Sequence, residues 1–174
     1  TIGFSWSNRS RLGLPGQGAS MIVGLISDTH GLLRPQAIAA LQGSSVIIHA
    51  GDVGKPEILE RLRAIAPTFA VWGNIDTQPW ASALPTTVDI EVWHLRLHVL
   101  HQVSQLDRDP AAAKFAGVIY GHSHQSSIET RDGVLFINPG SAGPRRFKLP
   151  VTIARLSLQG GELQPEIVDL NVGV

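Results

Sequence analysis

The stretch Met21-Ile-Val-Gly-Leu-Ile-Ser-Asp-Thr-His-Gly31 sets the fold, because a nearly continuous apolar run in it ends abruptly at polar residues. Such a run is typical of a strand that is buried on both faces. Residues 35 to 42 follow with helical spacing, and Pro35 occupies a first-turn position that helices tolerate. This part of the chain therefore predicts a buried strand and then a helix.

Two further apolar runs continue this pattern. They are Val46-Ile-Ile48, followed by His49-Ala-Gly-Asp52, and Phe69-Ala-Val-Trp72, followed by Gly73-Asn-Ile-Asp76. Between them, residues 55 to 66 place apolar side chains at helical spacing. The order strand, helix, strand, helix, strand predicts a parallel sheet that is covered on both faces. Because sites in such sheets form outside the carboxyl ends of the strands, four polar residues become candidates: Asp28, His30, Asp52 and Asn74.

The second half of the chain alternates between apolar and polar residues from Val88 onward, which indicates strands with one buried and one open face. In the run from 94 to 101, His101 lies on the apolar face, where it needs a polar partner. His94 and His98 lie on the opposite face. We expect these two histidines to be solvated and to have no chemical role.

Turn and helix signals complete the second half. Residues 109 to 116 predict a short helix, with Pro110 near its start. Asp132-Gly133 lies between two apolar runs and is a strong hairpin signal, and Gly160-Gly161 divides a closing hairpin. We expect the later antiparallel strands to form a second sheet that packs on the first.

Residues 1 to 20 differ from the rest, because they are rich in Ser, Gly, Arg and Pro and show no regular period. We expect a flexible N-terminal extension followed by one domain that spans residues 21 to 174. The alternative is a docking arm that is anchored by Phe4 and Trp6.

Composition limits the chemistry. The 174 residues include no cysteine, which excludes disulfides, iron–sulfur clusters and thiolate zinc sites. The formal net charge is zero, so no overall positive field attracts extended nucleic acid. No run approaches the ~18 apolar residues of a membrane span, and residues 1 to 20 lack the apolar segment of a signal peptide. We expect a soluble, cytoplasmic protein and leave homo-oligomerisation open.

A pair of histidines, His122-Ser-His124, follows the apolar run from Gly117 to Tyr120. Alone, a His-x-His pair is more simply a polar turn with two solvated side chains. The other polar clusters of the sequence favour metal binding instead, because several of them also follow apolar runs and contain side chains that can bind metal. The candidate ligands are Asp28, His30, Asp52, Asn74, His101, His122 and His124.

Seven donors exceed the three or four of a single catalytic zinc ion, so a centre with two metal ions is the economical interpretation. Two cations about 3.5–4 Å apart require a shared anion, and we assign this bridge to Asp52. A mixed oxygen and imidazole set suits Mn, Fe, Zn or Ni, and it disfavours Mg or Ca. Such a pair generates hydroxide near neutral pH and grips phosphoryl oxygens. Hydrolysis of a phosphate ester is the natural reaction.

These motifs, in this order, resemble the calcineurin-like metallophosphoesterase family. The run Ser27-Asp-Thr-His-Gly31, together with Asn138-Pro-Gly-Ser141, is similar to its small bacterial and archaeal phosphodiesterases. The resemblance implies an α/β fold, a four-layer αββα sandwich of two mixed sheets flanked by helices. It implies one metal held by Asp28, His30, Asp52 and His124, and a second held by Asp52, Asn74, His101 and His122.

We expect a phosphodiesterase that uses two divalent transition metal ions, with manganese favoured. Asp52, Asn74 and His101 would be catalytic through metal-held hydroxide and phosphate positioning. Asn74 and Arg145 would contact a small phosphorylated substrate. Arg145 and Arg146 are equally well explained as a solvated basic face, and Asn138-Pro-Gly-Ser141 as a plain turn rather than an anion site. His49 is expected beneath the site as a donor to a ligand, and Asp76 as a residue that orients one.

Two departures from the family pattern favour an alternative. Many members have a histidine after the Asn, and the small subgroup often has a cysteine, whereas this chain has Ile75. The usual His-Gly-His of the subgroup is His101-Gln-Val103 here. A eukaryotic retromer subunit of the same family also lacks the histidine after the Asn. The alternative function is therefore a catalytically weak binding scaffold.

Overall fold

The computed structural model describes residues 9–11 and 21–173. Arg9–Arg11 form a short strand, β1, which pairs in parallel with a later strand. The rest of residues 1 to 20 lies outside the described residues. The expected flexible extension and its alternative, a docking arm with Phe4 and Trp6, therefore stay predictions. No helix in the described ranges is long and apolar enough to cross a membrane.

The first sheet has the parallel strands that the sequence predicts. The strands β2 (Val23–Ile26), β3 (Val46–His49) and β4 (Thr68–Ala70) are parallel neighbours. The helices α1 (Pro35–Leu41) and α2 (Pro56–Arg63) connect them, and a proline opens each helix. All residues of β2 and β3 are buried, because one sheet face packs on the helices and the other on the second sheet.

The closing hairpin belongs to the first sheet, so the expectation that it extends the second was wrong. β10 (Thr152–Gln159) pairs antiparallel with β2, and β11 (Glu162–Asp169) pairs antiparallel with β10. The strand order is therefore β11-β10-β2-β3-β4. β10 pairs with the edge of β2 that β3 leaves free, and its apolar residues belong to the clusters on both faces of the sheet.

The second sheet is mixed and has six strands in the order β1-β5-β6-β7-β9-β8. Antiparallel pairing joins β5 to β6 and β8 to β9, whereas β7 is parallel to both of its neighbours. The predicted turn Asp132-Gly133 is confirmed, and both residues have the positive φ of a tight hairpin turn. The strand bounds are β5 Thr87–Val92, β6 Leu95–Leu100, β7 Gly117–Ile119, β8 Ser127–Arg131 and β9 Val134–Asn138.

The outer face of the second sheet corrects two predictions. Residues 109 to 116 form turns rather than a helix, because the Asp109 carboxylate accepts backbone N–H groups and Lys114 has a positive φ. This segment places Phe115 against His98, with ring centroids 5.1 Å apart. His98 is therefore 1% exposed and donates to Asp89 over 2.7 Å, whereas His94 is exposed as predicted.

The two sheets pack face to face and form an α/β sandwich, as predicted. The inner residues of β2, β3, β5, β6 and β9 form one apolar cluster between the sheets. Both helices cover the outer face of the first sheet. The opposite layer, over the second sheet, consists of the turns at 109–116 and a short 3-10 helix at Val103–Gln105. The polar residues after β2, β3, β6 and β7 all lie at one edge of this sandwich.

Candidate metal centre

The structure brings all seven predicted ligands together. Four follow strands of the first sheet and three follow strands of the second, so the cluster spans the edge where the two sheets meet. From the first sheet come Asp28 and His30 after β2, Asp52 after β3 and Asn74 after β4; from the second come His101 after β6, and His122 and His124 after β7.

One group of donors consists of Asp28, His30 and His124. The Nε2 atoms of His30 and His124 lie 3.2 Å apart. Asp28 Oδ1 lies 3.4 Å from Nε2 of His124 and 3.8 Å from Nε2 of His30. Donor atoms of three different side chains converge at these distances, as the ligands on one side of a metal ion do.

A second group consists of Asp28, Asp52 and His101, so Asp28 belongs to both. Asp52 Oδ2 lies 3.5 Å from Nε2 of His30 and 3.4 Å from Nε2 of His101. Asp52 thus touches one histidine from each of the two ligand sets that the resemblance implies. Both carboxylates occupy the centre of the cluster.

Asn74 and His122 extend the second group toward solvent. Asn74 Oδ1 lies 3.2 Å from His101 Nε2 and 3.1 Å from His122 Nδ1. Both Asn74 and His122 are exposed, in contrast to the buried Asp28 and Asp52. This side of the centre is therefore the one that an external molecule can reach.

Asp28 carries the clearest sign that a cation fits here. Its Oδ2 accepts hydrogen bonds from the Ser27 hydroxyl and the His122 N–H. Its Oδ1 is buried and has no hydrogen-bond partner among the described residues, and the same holds for Nδ1 of His124. A buried carboxylate oxygen without a partner is costly. A divalent cation between Asp28, His30 and His124 would satisfy it.

The backbone at the centre is unusual. Five of the seven candidate ligands have a positive φ, a region that non-glycine residues rarely adopt. Their φ values lie between 46° and 71°. Such conformations persist where the surrounding structure enforces them, and they cluster at functional sites. The five residues are Asp28, His30, Asp52, His122 and His124.

Two glycines allow the strand ends to approach each other closely. A Cβ on Gly73 would lie 2.0 Å from the Asp52 nitrogen, and a Cβ on Gly121 would lie 2.0 Å from Ser27 Oγ. These distances are shorter than any real Cβ contact, so a side chain at either position would displace the ligand loops. Asp52 and Asp28 owe their positions to these glycines.

Asp52 and His101 lie side by side, with Asp52 Oδ2 3.4 Å from His101 Nε2, and each shifts the pKa of the other. Burial alone would raise the pKa of Asp52, but the hydrogen bonds with His101 and the Ile75 N–H lower it below the usual value. Burial alone would lower the pKa of His101, but the bonds with Asp52 and the Ala50 carbonyl raise it. His101 Nδ1 donates to that carbonyl over 2.7 Å. The Nε2 atom of His101 therefore faces Asp52, and a proton and a metal ion would compete for this nitrogen.

The residues beneath the centre differ in part from prediction. His49 is fully buried, but it bonds to residues beside the ligands rather than to a ligand. Its Nδ1 accepts the Gly51 N–H over 3.2 Å, and its Nε2 lies 2.9 Å from Thr29 Oγ1. Burial lowers the pKa of His49 to about 4, so the ring is neutral near pH 7.

Asp76 acts on the backbone that carries the ligands. Its carboxylate accepts N–H groups from Val53, Gly54 and Gly73 over 2.8–3.1 Å. These bonds tie the loop after Asp52 to the loop before Asn74. The sequence could indicate this role only through the position of Asp76 after a strand.

The turn at 138–141 supports the centre from behind. Asn138 Nδ2 donates to the Gly121 carbonyl, and Asn138 Oδ1 accepts the Gly140 N–H. Ser141 Oγ donates to the Asp28 carbonyl over 2.9 Å. Because the Gly140 N–H is engaged inside the turn, this geometry is that of a structural turn.

Arg145 and Arg146 lie on the loop that follows the turn at 138–141. Arg145 Nε donates to the Leu149 carbonyl over 3.3 Å, and both arginines are exposed. Burial lowers the pKa of His124, and the charge of Arg146 lowers it further, against the opposing effect of Asp28. Of the seven candidate ligands, His124 is the one on which the charge of Arg146 acts in this way.

Gln102 is a residue of the centre that the sequence reasoning did not assign. Its Nε2 lies 2.9 Å from Nε2 of His122. The only signal was its position directly after His101. Ile75, which the resemblance singles out, is 37% exposed, and its N–H donates to Asp52 Oδ1 over 3.0 Å. Its backbone supports Asp52, while its side chain offers no proton.

Comparison with known proteins agrees with this geometry. Residues 21–161 match the model of the calcineurin-like phosphoesterase superfamily domain. The chain is 31% identical over 160 residues to a probable metallophosphoesterase of Methanothermobacter thermautotrophicus, covering 85% of this chain and 92% of that protein.

Solved structures of two kinds share the fold. One is described as a novel archaeal phosphodiesterase, with a TM-score of 0.71, 26% identity, and coverage of 85% of this chain and 100% of the other. Another is vacuolar protein sorting 29 from Cryptosporidium parvum, with a TM-score of 0.68, 18% identity, and coverage of 86% and 97%. Family membership implies divalent metal ions, and the residues present fit them. The chain belongs to the calcineurin-like phosphoesterase superfamily.

Proposed function

We propose that this protein is a dinuclear metal-dependent phosphoesterase that hydrolyses small phosphate esters, with diesters favoured. The observation that carries the proposal is Oδ1 of buried Asp28, which faces His30 and His124 and has no hydrogen-bond partner in the part of the chain that the structure describes. The archaeal phosphodiesterase with the same fold supports the preference for diesters.

We assign one ion to Asp28, His30, Asp52 and His124, and the other to Asp52, Asn74, His101 and His122, with manganese favoured. Ions held there supply charge that polarises a phosphoryl group and lowers the pKa of water. The oxygen and imidazole donors suit a transition metal better than Mg or Ca. The position of Asp28 in both donor groups makes it a second candidate for the shared carboxylate.

The protein residues position the substrate. Asn74 and His122 occupy the exposed side of the centre, where a phosphoryl group would approach. Arg145 and Arg146 supply positive charge on the adjacent loop. The apolar side chain of Ile75 cannot protonate a leaving group, and loss of a general acid costs about 10²–10⁴ in rate. Esters with good leaving groups should therefore react fastest.

The test is hydrolysis of bis(p-nitrophenyl) phosphate by the Mn²⁺-loaded full chain, combined with measurement of bound metal. Asp52→Asn keeps an oxygen for the Ile75 N–H but removes the charge between His30 and His101. We expect this variant to lose hydrolysis and at least one metal ion. Glu129→Gln, on exposed β8 with its partner Arg131, is the matched control and should match the wild type. Equal turnover by wild type and Asp52→Asn would refute the enzymatic function.

The second candidate function is a binding scaffold with weak catalysis. Ile75 favours it, because its exposed apolar side chain stands where many family members have a proton donor. This function predicts that the protein binds metal fully yet hydrolyses neither diesters nor monoesters. Metal content and turnover measured on one preparation therefore separate the two candidates.

A further inference from the structure

The strand β8 (Ser127–Arg131) forms one edge of the six-stranded sheet, and its one neighbour among the described strands is β9. The backbone N–H and C=O groups on its outer side are therefore open to another strand. Four of its five residues are exposed, and Ser127 is half-buried. Ser127 pairs with Asn138, which supports the metal centre, and Arg131 pairs with Val134 at the other end of the hairpin. β8 therefore runs away from the centre along an open edge.

The other edge strands of the described sheets carry features that discourage pairing with a second chain. β1 and β4 are three residues long, and β11 has Pro165 near its middle. Short strands and prolines are common means by which proteins protect sheet edges. β8 has five residues and contains neither proline nor lysine, and its Ile128 is a large apolar residue that is 40% exposed. Of the described edges, β8 is therefore the one best suited to receive a further strand.

The two charged residues of β8 have opposite signs and lie on the same face of the strand. Glu129 and Arg131 are two residues apart, so their side chains point to the same side. Arg131 Nη2 donates to Glu129 Oε2 over 2.7 Å, and the Arg131 guanidinium lies 4.6 Å from the centre of the Phe136 ring. The side chains of Glu129 and Arg131 nevertheless remain 50% and 48% exposed. Each can therefore contact a further charge from outside the chain.

The order of residues in β8 makes the strand complementary to itself in one antiparallel register. Pairing about Thr130 places Glu129 of each copy opposite Arg131 of the other, and it brings the two Thr130 residues together on the two-fold axis. Opposite charges and Thr–Thr contacts are both favourable cross-strand pairs. Pairing about Glu129 or Arg131 would instead place like charges opposite each other, which is unfavourable. A shift by one residue would put the paired side chains on different faces.

We propose that two copies of this chain associate through antiparallel pairing of their β8 strands, in the register that is centred on Thr130. The two six-stranded sheets then join into one, and both copies use the same surface, as in most symmetric dimers. Backbone hydrogen bonds supply affinity, and the Glu129–Arg131 pairs set the register. One pair of five-residue strands is a small interface, so the dimer forms at high protein concentration. This association does not depend on phosphoesterase activity.

The test is sedimentation velocity of the full chain at increasing concentrations, up to about 0.5 mM because the interface is small. The wild type should shift from monomer to dimer over this range. Glu129→Arg and Arg131→Glu each place like charges opposite each other at two points of the strand pair, so each should weaken dimerisation about tenfold or more. An equimolar mixture of these two variants should form a heterodimer, because every charged pair in it again has opposite signs.

Glu162→Arg is the matched control, because Glu162 is an exposed acidic residue on the edge strand β11. This variant should dimerise like the wild type. Thr130→Lys brings two like charges together on the axis, so it tests the same contact independently and should abolish the dimer. A wild type that stays monomeric overturns the proposal, and so do charge reversals on β8 that dimerise like the wild type. A mixture of the two reversals that stays monomeric rules out this register.

Discussion

Acidification should destabilise this protein through His49, and His49→Gln should remove that contribution. Burial lowers the pKa of His49 to about 4 in the folded chain, compared with 6.5 for an ordinary histidine. Below pH 6.5 the unfolded chain binds a proton that folded His49 does not, so the free energy of unfolding falls with pH until about pH 4. At about 1.4 kcal/mol per pH unit, this loss amounts to roughly 3 kcal/mol.

The assay is urea unfolding followed by tryptophan fluorescence at several pH values between 7 and 4, with a chelator present. The chelator removes protons that are linked to metal binding. His49→Gln should be less stable at pH 7, because the Gly51 N–H loses its acceptor and the Thr29 hydroxyl keeps only its bond to the Val53 carbonyl. It should nevertheless lose roughly 3 kcal/mol less than the wild type on acidification. Parallel stability curves for the two proteins would refute a neutral buried His49.

Three further changes test the site and the packing. In thermal unfolding, Mn²⁺ at about 100 times its Kd should stabilise the wild type by ~2.7 kcal/mol. Asp28→Asn should abolish this stabilisation, because Asp28 belongs to both donor groups. A variant that Mn²⁺ still stabilises would contradict that role. In urea unfolding, Gly73→Ala should lower the free energy of unfolding by about 3 kcal/mol or more. Gly173→Ala should not change it, because no atom lies within 4 Å of that position. Equal unfolding midpoints for the two variants would contradict the close approach of Gly73 to Asp52. His98→Ala should lower the free energy of unfolding by about 2–4 kcal/mol without changing Mn²⁺ binding. His94→Ala, at an exposed position, should lower it by less than about 0.5 kcal/mol. Similar losses of stability in the two variants would show that His98 is not buried.

The sequence predicted that most of the candidate ligands would lie together, because the topology of a parallel sheet brings the ends of its strands to one edge. Apolar runs that end in Asp28, Asp52 and Asn74 must bring these residues to one edge of the sheet. His101 was found by side-chain alternation, which placed it on the inner face of its strand. The two helices followed from helical spacing, and the first also from Pro35 at its start, although both are shorter than predicted.

The errors arose where distant segments meet. Alternation placed His98 on the correct face of β6 but could not show that Phe115 covers that face. Likewise, Gln102 and His122 touch only because β6 and β7 are neighbours. The membership of Asp28 in both donor groups depends on distances of a few ångströms between loops of two sheets. Spacing along the chain carries no information on such distances.

The pairing of β10 with β2 also decides when the five-stranded sheet is completed during synthesis. β2 is finished at Ile26, but its antiparallel partner begins only at Thr152. At ~5–20 residues per second, the ribosome needs roughly 6–25 s to make the chain between them. Throughout this interval β2 presents an unpaired edge that other nascent chains can join. We therefore expect completion of the C-terminal hairpin, rather than folding of the first half, to be the step that covers this edge against aggregation.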